Sequence, residues 1–426
     1  MTRDTNRHFK FDWITIILFF LLVGFGWLNI LSASHTGGDT INYFDTTQPF
    51  GKQLIFILLT FGLIILLLSL DAKFYERFSS IIYIVSMLSL VGLFLFGKNV
   101  NGATSWYAFG GMTLQPSEFA KSATALAIAK YVSDLNTNIK TLKNQIQTFI
   151  IIIIPAILVL LQNDTGSTIV YGAFFFVLYR EGLPKYYLSI GISVLILSIL
   201  SLKFGAITAS FTALVCVISV YFLNKKKFKI FQSTFIIIVA FAISFGIKFF
   251  YQSILQPHQQ DRISLWLRLE KDPKKLEQMK RTFAYNLNES EKAISSGGFT
   301  GRGFMQGTRT TGKFVPEQHT DYIFSTVGEE WGFLGCSFVV IVFILLLLRI
   351  LHLAELQKSQ FSRIYGYSVA SIIFIHFFIN IGMVMGLIPT IGIPLPLFSY
   401  GGSGLWAFTI LIFIFIKLDS NKINEW

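Results

Sequence analysis

A polar and charged run, KFVPEQHTDYIFSTVGEEW (313–331), lies directly before an apolar segment that begins at Gly332. Its central carboxylate, Asp321, has neighbours on both sides that can donate or accept hydrogen bonds. General acid–base catalysis needs a carboxylate or an imidazole within hydrogen-bond reach of the reacting group. We therefore expect Asp321 to be the catalytic residue, acting either as a base or as a metal ligand.

Other polar residues of the same run are expected to support Asp321 rather than to react. We expect Glu317, His319 and Thr320 to orient its side chain or to hold the loop in place. We expect Glu330, together with Glu329, to cap the helix that follows, because negative charge is favoured at a helix N-terminus.

Three more ionisable residues lie at the ends of apolar runs. Glu118 and Lys121, in QPSEFAK (115–121), are three residues apart, so they share one face of a helix and can pair. Asp164 lies in a short polar turn, QNDTGS (162–167), between two apolar runs. Charged groups are costly at membrane depth, which makes each of them a functional candidate. We predict that all three contribute to substrate binding.

Two segments rich in glycine or proline interrupt the apolar pattern. Three prolines precede SYGGSG (399–404), and such a break leaves backbone N–H groups that can bind an anion or a polar headgroup. We predict substrate binding by Ser399, Gly401 and Gly402, with a plain re-entrant turn as the alternative. SSGGFTGRGF (295–304) is expected to form a flexible turn that exposes its backbone.

Familiar catalytic templates do not occur in the chain. The six histidines show no HExxH spacing, and there is no GxSxG motif. Gly301 and Gly303 lack a third glycine and a following GKS/T, so nucleotide-phosphate binding is not indicated. Cys216 and Cys336 both fall inside apolar segments, which argues against a disulfide framework or a thiolate metal site.

The composition requires that these residues be placed by membrane helices. The chain has 426 residues, of which 53% are hydrophobic and only 14% charged, values typical of an integral membrane protein. Apolar runs of about 20 residues favour helices over a barrel. We predict an all-α polytopic fold of about twelve spans: 12–32, 53–70, 78–97, 115–133, 147–162, 167–180, 186–202, 206–223, 230–250, 332–349, 366–387 and 402–418.

Lysine and arginine are distributed unequally between the two sides of this topology. One side collects most of them, including NKKKFK (224–229), whereas the short loops of the other side hold only Lys52, Lys98 and Lys203. The positive-inside rule then places both termini in the cytoplasm and the long loop 251–331 outside. The formal net charge of +12 is explained by contact with anionic lipid, without a nucleic-acid partner.

The motifs together resemble the SEDS family (shape, elongation, division and sporulation), and its elongation branch more than its division branch. They are spread in family order over most of the chain. The matching stretches are GATSWYAFGGMTLQPSEFAK (102–121), LLQNDTGST (160–168), LQPHQQDRI (255–263), AISSGGFTGRGFMQGT (293–308), FVPEQHTDYIFSTVGEEWGFLG (314–335) and NIGMVMGLIPTIGIPLPLFSYGGSG (380–404).

The resemblance implies an inverting glycosyltransferase that polymerises lipid II into glycan strands, during cell elongation, at the outer face of the bacterial cytoplasmic membrane. It implies a class B penicillin-binding protein as partner. Its essential aspartate falls on Asp321, its paired glutamate and lysine on Glu118 and Lys121, and its QxxR element on Gln259 and Arg262. No cofactor is certain, although a divalent cation, Mg²⁺ or Mn²⁺, bound by Asp321 is an open alternative to a base.

Two features depart from the family pattern. The family usually has ten spans, so residues 186–224 are expected to form an added helical hairpin. Ser105 stands where the family usually has an arginine before the tryptophan that corresponds to Trp106, which leaves that positive contact either unfilled or supplied by another residue.

Other functions fit parts of the same pattern. Twelve helices with intramembrane charges suit a transporter or lipid flippase, although the strongest motifs cluster on one face rather than at the midplane. A non-catalytic membrane scaffold and the division paralogue of the polymerase are the remaining alternatives.

Overall fold

The structure, a computed structural model, describes residues 11–35, 41–100, 102–109, 112–223, 230–270, 272–282 and 285–422. Two compact units are present. The first comprises Met1–Leu183, Glu289–Met385 and Ile391–Trp426, and the second comprises Pro184–Asn288 and Gly386–Thr390. The predicted basic run 224–229 lies outside the described residues.

The first unit contains most of the helices and the only strands among the described residues. Its elements, in chain order, are α1 (Trp13–Ser34), α2 (Pro49–Ser69), α3 (Ala72–Phe96), β1 (Lys98–Val100), β2 (Ala103–Phe109), β3 (Met112–Leu114), α4 (Pro116–Val132), α5 (Leu142–Leu161), α6 (Thr165–Val170), a 3-10 turn (Tyr171–Ala173), α7 (Phe174–Arg180), α13 (Tyr285–Gly297), α14 (Thr308–Thr311), α15 (Ile323–Glu355), α16 (Gln360–Val384) and α17 (Gly402–Asn421). Of helix α13, only the part from Glu289 onward belongs to this unit.

Helices α16 and α17 form the centre of this unit. α16 packs against α4, α15 and α17, while α17 also packs against α2 and α4. In the most apolar stretch of each helix, 67% of α16 and 78% of α17 is buried inside the protein. Polar side chains on α16 are therefore enclosed mainly by protein, and those of α4 that lie among its many buried residues, such as Glu118 and Lys121, are enclosed as well.

The second unit is built on three long helices, α8 (Tyr186–Phe204), α9 (Ala206–Leu223) and α10 (Ile230–Ser253), which pack on one another. The Ser201 hydroxyl donates to the Ser244 carbonyl, 2.6 Å away, and so ties α8 to α10. Two shorter helices follow, α11 (Pro257–Leu267) and α12 (Pro273–Thr282). Within the segment 186–224, the described residues form α8 and α9, which pack on each other. That this pair is an added hairpin stays a prediction.

The predicted multi-pass helical membrane fold is confirmed. Nine helices in the described part of the chain are long and apolar enough to cross a membrane. All twelve predicted spans are helical, but α4 has only 17 residues, the sixth span is divided into α6, the 3-10 turn and α7, and the apolar stretch of α9 is short. The count of twelve crossings therefore stays a prediction.

A small antiparallel sheet, which the helical prediction did not include, lies between α3 and α4. Its order is β1-β2-β3, with Lys98 opposite Trp106 and Tyr107 opposite Leu114. Threonine and aromatic residues in ATSWYAF favour a strand. The Thr104 N–H donates to the Gln162 carbonyl, 3.0 Å away, and this bond fastens the sheet to the turn before α6.

Helix α15 consists of two helical parts that meet at Gly332. The first part begins at Ile323, two residues after Asp321, and is an additional short helix that the apolar pattern does not predict. Gly332, where the apolar span is predicted to start, has a non-helical φ of 61° and ψ of −156° and marks the kink between the two parts. The polar residues before the kink are buried against protein, so the helix can contain them.

The glycine-rich run 295–304 is the reason for that burial. The N–H groups of Arg302 and Gly303 donate to the carbonyls of Glu329 and Glu330, each at 3.0 Å. A Cβ on Gly301 would overlap the Glu330 carbonyl, so only glycine allows this approach. The prediction of a flexible, backbone-exposing turn was therefore wrong, because the glycines pack the run onto the kink of α15.

Candidate active site

Asp321 lies immediately before Tyr322, the N-cap residue of α15, and is half-buried. The amide of Asn380, buried in α16, donates one hydrogen to the Asp321 carbonyl at 2.8 Å and the other to the Ile393 carbonyl at 2.7 Å. The carboxylate faces Gly392: a Cβ built there would stand 3.2 Å from Asp321 Oδ2. A single buried amide thus positions the backbone of Asp321 beside the 392–393 segment.

Glu317 and Thr320 form a local turn just before Asp321. Glu317 has a positive φ of 55°, and its carbonyl accepts from the N–H groups of Thr320 at 3.1 Å and Tyr322 at 3.3 Å. The Thr320 hydroxyl donates to the Glu317 carboxylate at 3.1 Å. These contacts close the turn, and the supporting role of Glu317 and Thr320 stays a prediction.

His319 and Ser399 join this turn to the segment before α17. The His319 carbonyl accepts from the Tyr400 N–H at 2.9 Å, and the two rings lie 5.4 Å apart. The Ser399 hydroxyl donates to the Thr320 carbonyl at 2.6 Å and accepts from the Leu395 N–H at 2.8 Å. Ser399 therefore links two protein segments. Its hydroxyl hydrogen is already used in the bond to Thr320, so it is not available to donate to a substrate as predicted.

A cavity of about 420 Å³ opens beside this junction. Lys52 is the only charged side chain among the described residues that line it. The Gly401 N–H already donates to Gln53 Oε1 at 3.0 Å, so its predicted availability for an anion was wrong. The other lining residues are Thr46, Ile55, Phe56, Trp106, Thr113, Thr320, Tyr400, Gly401, Gly402 and Ser403.

Glu118 and Lys121 form the predicted ion pair in the first turns of α4. Lys121 Nζ lies 2.7 Å from Glu118 Oε1, and the two side chains are only 2% and 5% exposed. Lys121 Nζ also lies 2.8 Å from His376 Nε2, on α16. His376 was not among the predicted site residues, although a histidine inside an apolar run is a usable signal.

Asp164 caps α6 and packs close to the segment that Asp321 faces. Its carboxylate accepts from the Ser167 N–H at 2.9 Å and from Gln115 Nε2 at 2.8 Å. A Cβ on Gly166 would stand 3.3 Å from the Gly392 carbonyl oxygen. The Asp164 turn and the Asp321 carboxylate therefore approach the same stretch of backbone.

Glu329 and Glu330 do not cap the start of a helix, and that prediction was wrong. Glu329 accepts from the N–H groups of Arg309 at 2.9 Å and Thr310 at 2.8 Å. Glu330 accepts from the Ser32 hydroxyl and from backbone N–H groups of the 305–307 loop. Both glutamates belong to α15 and are buried, and their carboxylates anchor the loop that precedes Asp321.

Gln259 and Arg262 belong to the second unit, on α11. Gln259 completes a capping box with Gln256, whose N–H donates to Gln259 Oε1 at 3.1 Å. Arg262 Nη1 donates to the Thr390 carbonyl at 3.2 Å. Their predicted substrate contacts stay predictions, because these bonds are all within their own unit.

The protein residues around Asp321 could hold a cation only together with ligands from outside the protein. No group of three or more His, Cys, Asp or Glu side chains is arranged to hold a metal ion in the described part of the chain. A cation at Asp321 would take its other ligands from water and substrate phosphate, as Mg²⁺ commonly does.

Comparison with known proteins identifies the class. The profile of the FtsW/RodA/SpoVE family, described as cell cycle protein, matches residues 12–212 and 189–424, so the chain belongs to this family. Among its relatives, the peptidoglycan glycosyltransferase RodA of Treponema pallidum (strain Nichols) is 31% identical, over 97% of this chain and 98% of RodA.

Two further comparisons bear on the branch and on the fold. The probable peptidoglycan glycosyltransferase FtsW of Bacillus subtilis (strain 168) is 28% identical, over 97% of this chain and 93% of FtsW. A chain from a solved peptidoglycan synthase complex has the same fold, with a TM-score of 0.70, 23% identity, and coverage of 97% of this chain and 99% of that one.

Proposed function

We propose that this protein is a peptidoglycan glycosyltransferase of the RodA type, which polymerises lipid II into glycan strands during cell elongation. The observation that carries the proposal is the placement of Asp321. Its backbone is held by Asn380 and its carboxylate faces Gly392. The RodA relative, similar over nearly the whole of both chains, supports the assignment of this activity.

The reaction joins the hydroxyl of an acceptor sugar to the anomeric carbon of a donor sugar. The carboxylate of Asp321 takes the hydroxyl proton while the oxygen attacks, and the bond from the anomeric carbon to pyrophosphate breaks. The pyrophosphate leaves with the electron pair, and attack from the opposite side inverts the configuration. This role requires a carboxylate that is not fully enclosed by protein, and Asp321 is half-buried.

The departing pyrophosphate needs a positive partner. Lys121 is already paired with Glu118 and is 2% exposed, so it is poorly placed to supply that charge. Lys52, which lines the cavity beside Thr320, is half-buried and better suited. Arg262 and a divalent cation, Mg²⁺ or Mn²⁺, are the other candidates, and a loss of activity in EDTA that either metal restores would favour the cation.

The partner and the sidedness are part of the same proposal. The asymmetry of lysine and arginine supports cytoplasmic termini and an extracytoplasmic active face. The partner implied is a class B penicillin-binding protein, which would crosslink the strands. Co-purification of the two proteins, and protease access to the 285–322 loop from outside intact spheroplasts, would test these two points.

The division branch is the second candidate function. The similarity to FtsW also covers nearly the full chain, at a slightly lower identity of 28%. Depletion in the cell would separate the two branches: loss of an elongation enzyme should shorten the cells, whereas loss of a division enzyme should leave them longer because they fail to divide.

The decisive experiment is polymerisation of lipid II by the purified protein in liposomes. Asp321→Ala and Asp321→Asn should both abolish glycan product, since neither side chain can accept the proton. Glu291→Gln, which neutralises an exposed carboxylate on α13, is the matched control and should retain full activity.

Full polymerisation by both Asp321 variants would contradict the proposal. Movement of lipid II across the liposome membrane without any glycan product would instead support the transporter alternative. A wild-type protein that does neither would support the scaffold alternative.

A further inference from the structure

His376 and Asn380 lie one turn apart on the same face of α16. Both are buried, at 1% and 0% exposed, in a helix that is otherwise largely apolar. Residues four apart on a helix point the same way, so both side chains face protein from one surface. The sequence pattern predicts no functional role for either residue.

His376 contacts the buried ion pair. A lysine ammonium can only donate, so Lys121 donates to His376 Nε2, 2.8 Å away, and Nε2 must be the unprotonated nitrogen. The ring of Phe408 lies edge-on to the imidazole at 5.0 Å and also beneath the ammonium at 5.9 Å. Because Lys121 is only 2% exposed, bulk solvent has little access to its ammonium, and the imidazole and the Glu118 carboxylate are its acceptors.

Asn380 contacts the catalytic segment. Both hydrogens of its amide are used, one by the Asp321 carbonyl and the other by the Ile393 carbonyl. These two carbonyls come from segments that are far apart in the chain. The amide therefore sets the spacing between Asp321 and the backbone that its carboxylate faces.

We propose that His376 and Asn380 are positioning residues, which use the rigid length of one helical turn to hold Lys121 and Asp321 in register. His376 acts by binding Lys121, which ties α4 to α16, and Asn380 acts through the backbone of Asp321. The proposal rests on the proposed function, because its readout is glycan polymerisation, and it adds two residues to the site.

The test for His376 compares two variants of similar shape. His376→Gln keeps an acceptor oxygen close to the position of Nε2, whereas His376→Met fills the same space without a strong acceptor. We expect polymerisation at saturating lipid II to stay within about threefold of wild type for Gln and to fall about 10- to 100-fold for Met, the range for a lost hydrogen bond to a charged group.

A role in packing alone would affect the two variants equally, so equal activity of Gln and Met would overturn the proposal for His376. Phe378→Leu, on the exposed face of the same helix, is the control and should behave as wild type. Gel filtration and thermal unfolding of each purified variant would identify any that fail to fold.

The test for Asn380 stands independently of the Met variant. Asn380→Leu keeps about the size of the side chain but donates no hydrogen bond. We expect a fall in kcat of at least about tenfold, with folding retained. Wild-type kcat in this variant would overturn the proposal for Asn380. An inactive wild-type protein would count against the proposed function instead, which separates the two failures.

Discussion

Replacement of Gly392 by alanine should misplace the Asp321 carboxylate while leaving the fold intact. Gly392 has φ +83°, and its added Cβ would lie 3.2 Å from Asp321 Oδ2, closer than a comfortable contact. Relief requires a shift of about 0.3 Å. A misplacement of about 1 Å can cost about 100-fold in rate, so a proportional logarithmic loss for 0.3 Å is about fourfold.

The backbone cost of this substitution has a matched control. Gly298 also has a positive φ, +59°, but a Cβ there would meet nothing within 4 Å. Gly392→Ala and Gly298→Ala should each lose about 1–2 kcal/mol of unfolding free energy, the cost of a left-handed conformation with a side chain. Only Gly392→Ala should also lose kcat.

The assay is the initial rate of glycan formation from lipid II in liposomes, at saturating substrate. Unfolding of the same preparations, followed in mixed micelles, provides the stability comparison. Equal kcat values for Gly392→Ala and Gly298→Ala would refute the reasoning, because the carboxylate would then tolerate the displacement or would not be the reacting group.

Two more predictions concern buried or half-buried charge. Lys121→Met should cost about 3–5 kcal/mol of unfolding free energy because it leaves Glu118 buried without a partner, and adding Glu118→Gln should recover at least half of the loss, as measured in mixed micelles. Burial lowers the pKa of His319 from its usual 6.5, a shift that the Glu317 carboxylate opposes and the Lys313 ammonium reinforces. As the pH falls, His319 is therefore protonated in the unfolded chain before it is protonated in the folded protein, so stability should fall as pH drops below about 6.5. His319→Gln should flatten this dependence of stability on pH between pH 7.5 and 5.5. A pH dependence of stability that is the same in His319→Gln as in the wild type would contradict this prediction.

The glycine-rich run and the two glutamates of α15 explain each other. The glycines admit the backbone of 297–303 onto the kink, and the carboxylates of Glu329 and Glu330 bind the loop that follows. This assembly packs around the kink of α15, the helix whose first residue, Ile323, follows Asp321 by two positions. Residues that look like a flexible turn and a helix cap therefore build the platform of the site.

Local sequence patterns determined the membrane fold and several parts of the site. Apolar runs of about 20 residues set the long helices, because backbone hydrogen bonds must be satisfied within lipid. The spacing of three between Glu118 and Lys121 determined their pairing on one helix face. The polar turn at Asp164 and the candidate Asp321 were likewise visible without coordinates.

Only the tertiary structure decided which of these parts meet. His376 pairs with Lys121 across 255 residues of sequence, and Asn380 bonds to two segments that no periodicity connects. Helical periodicity tells which residues share a face, but the partner of that face depends on how helices pack. The sequence therefore determined the helices and the candidate carboxylate, and the packing of α4, α15 and α16 determined how the segment that carries it is held.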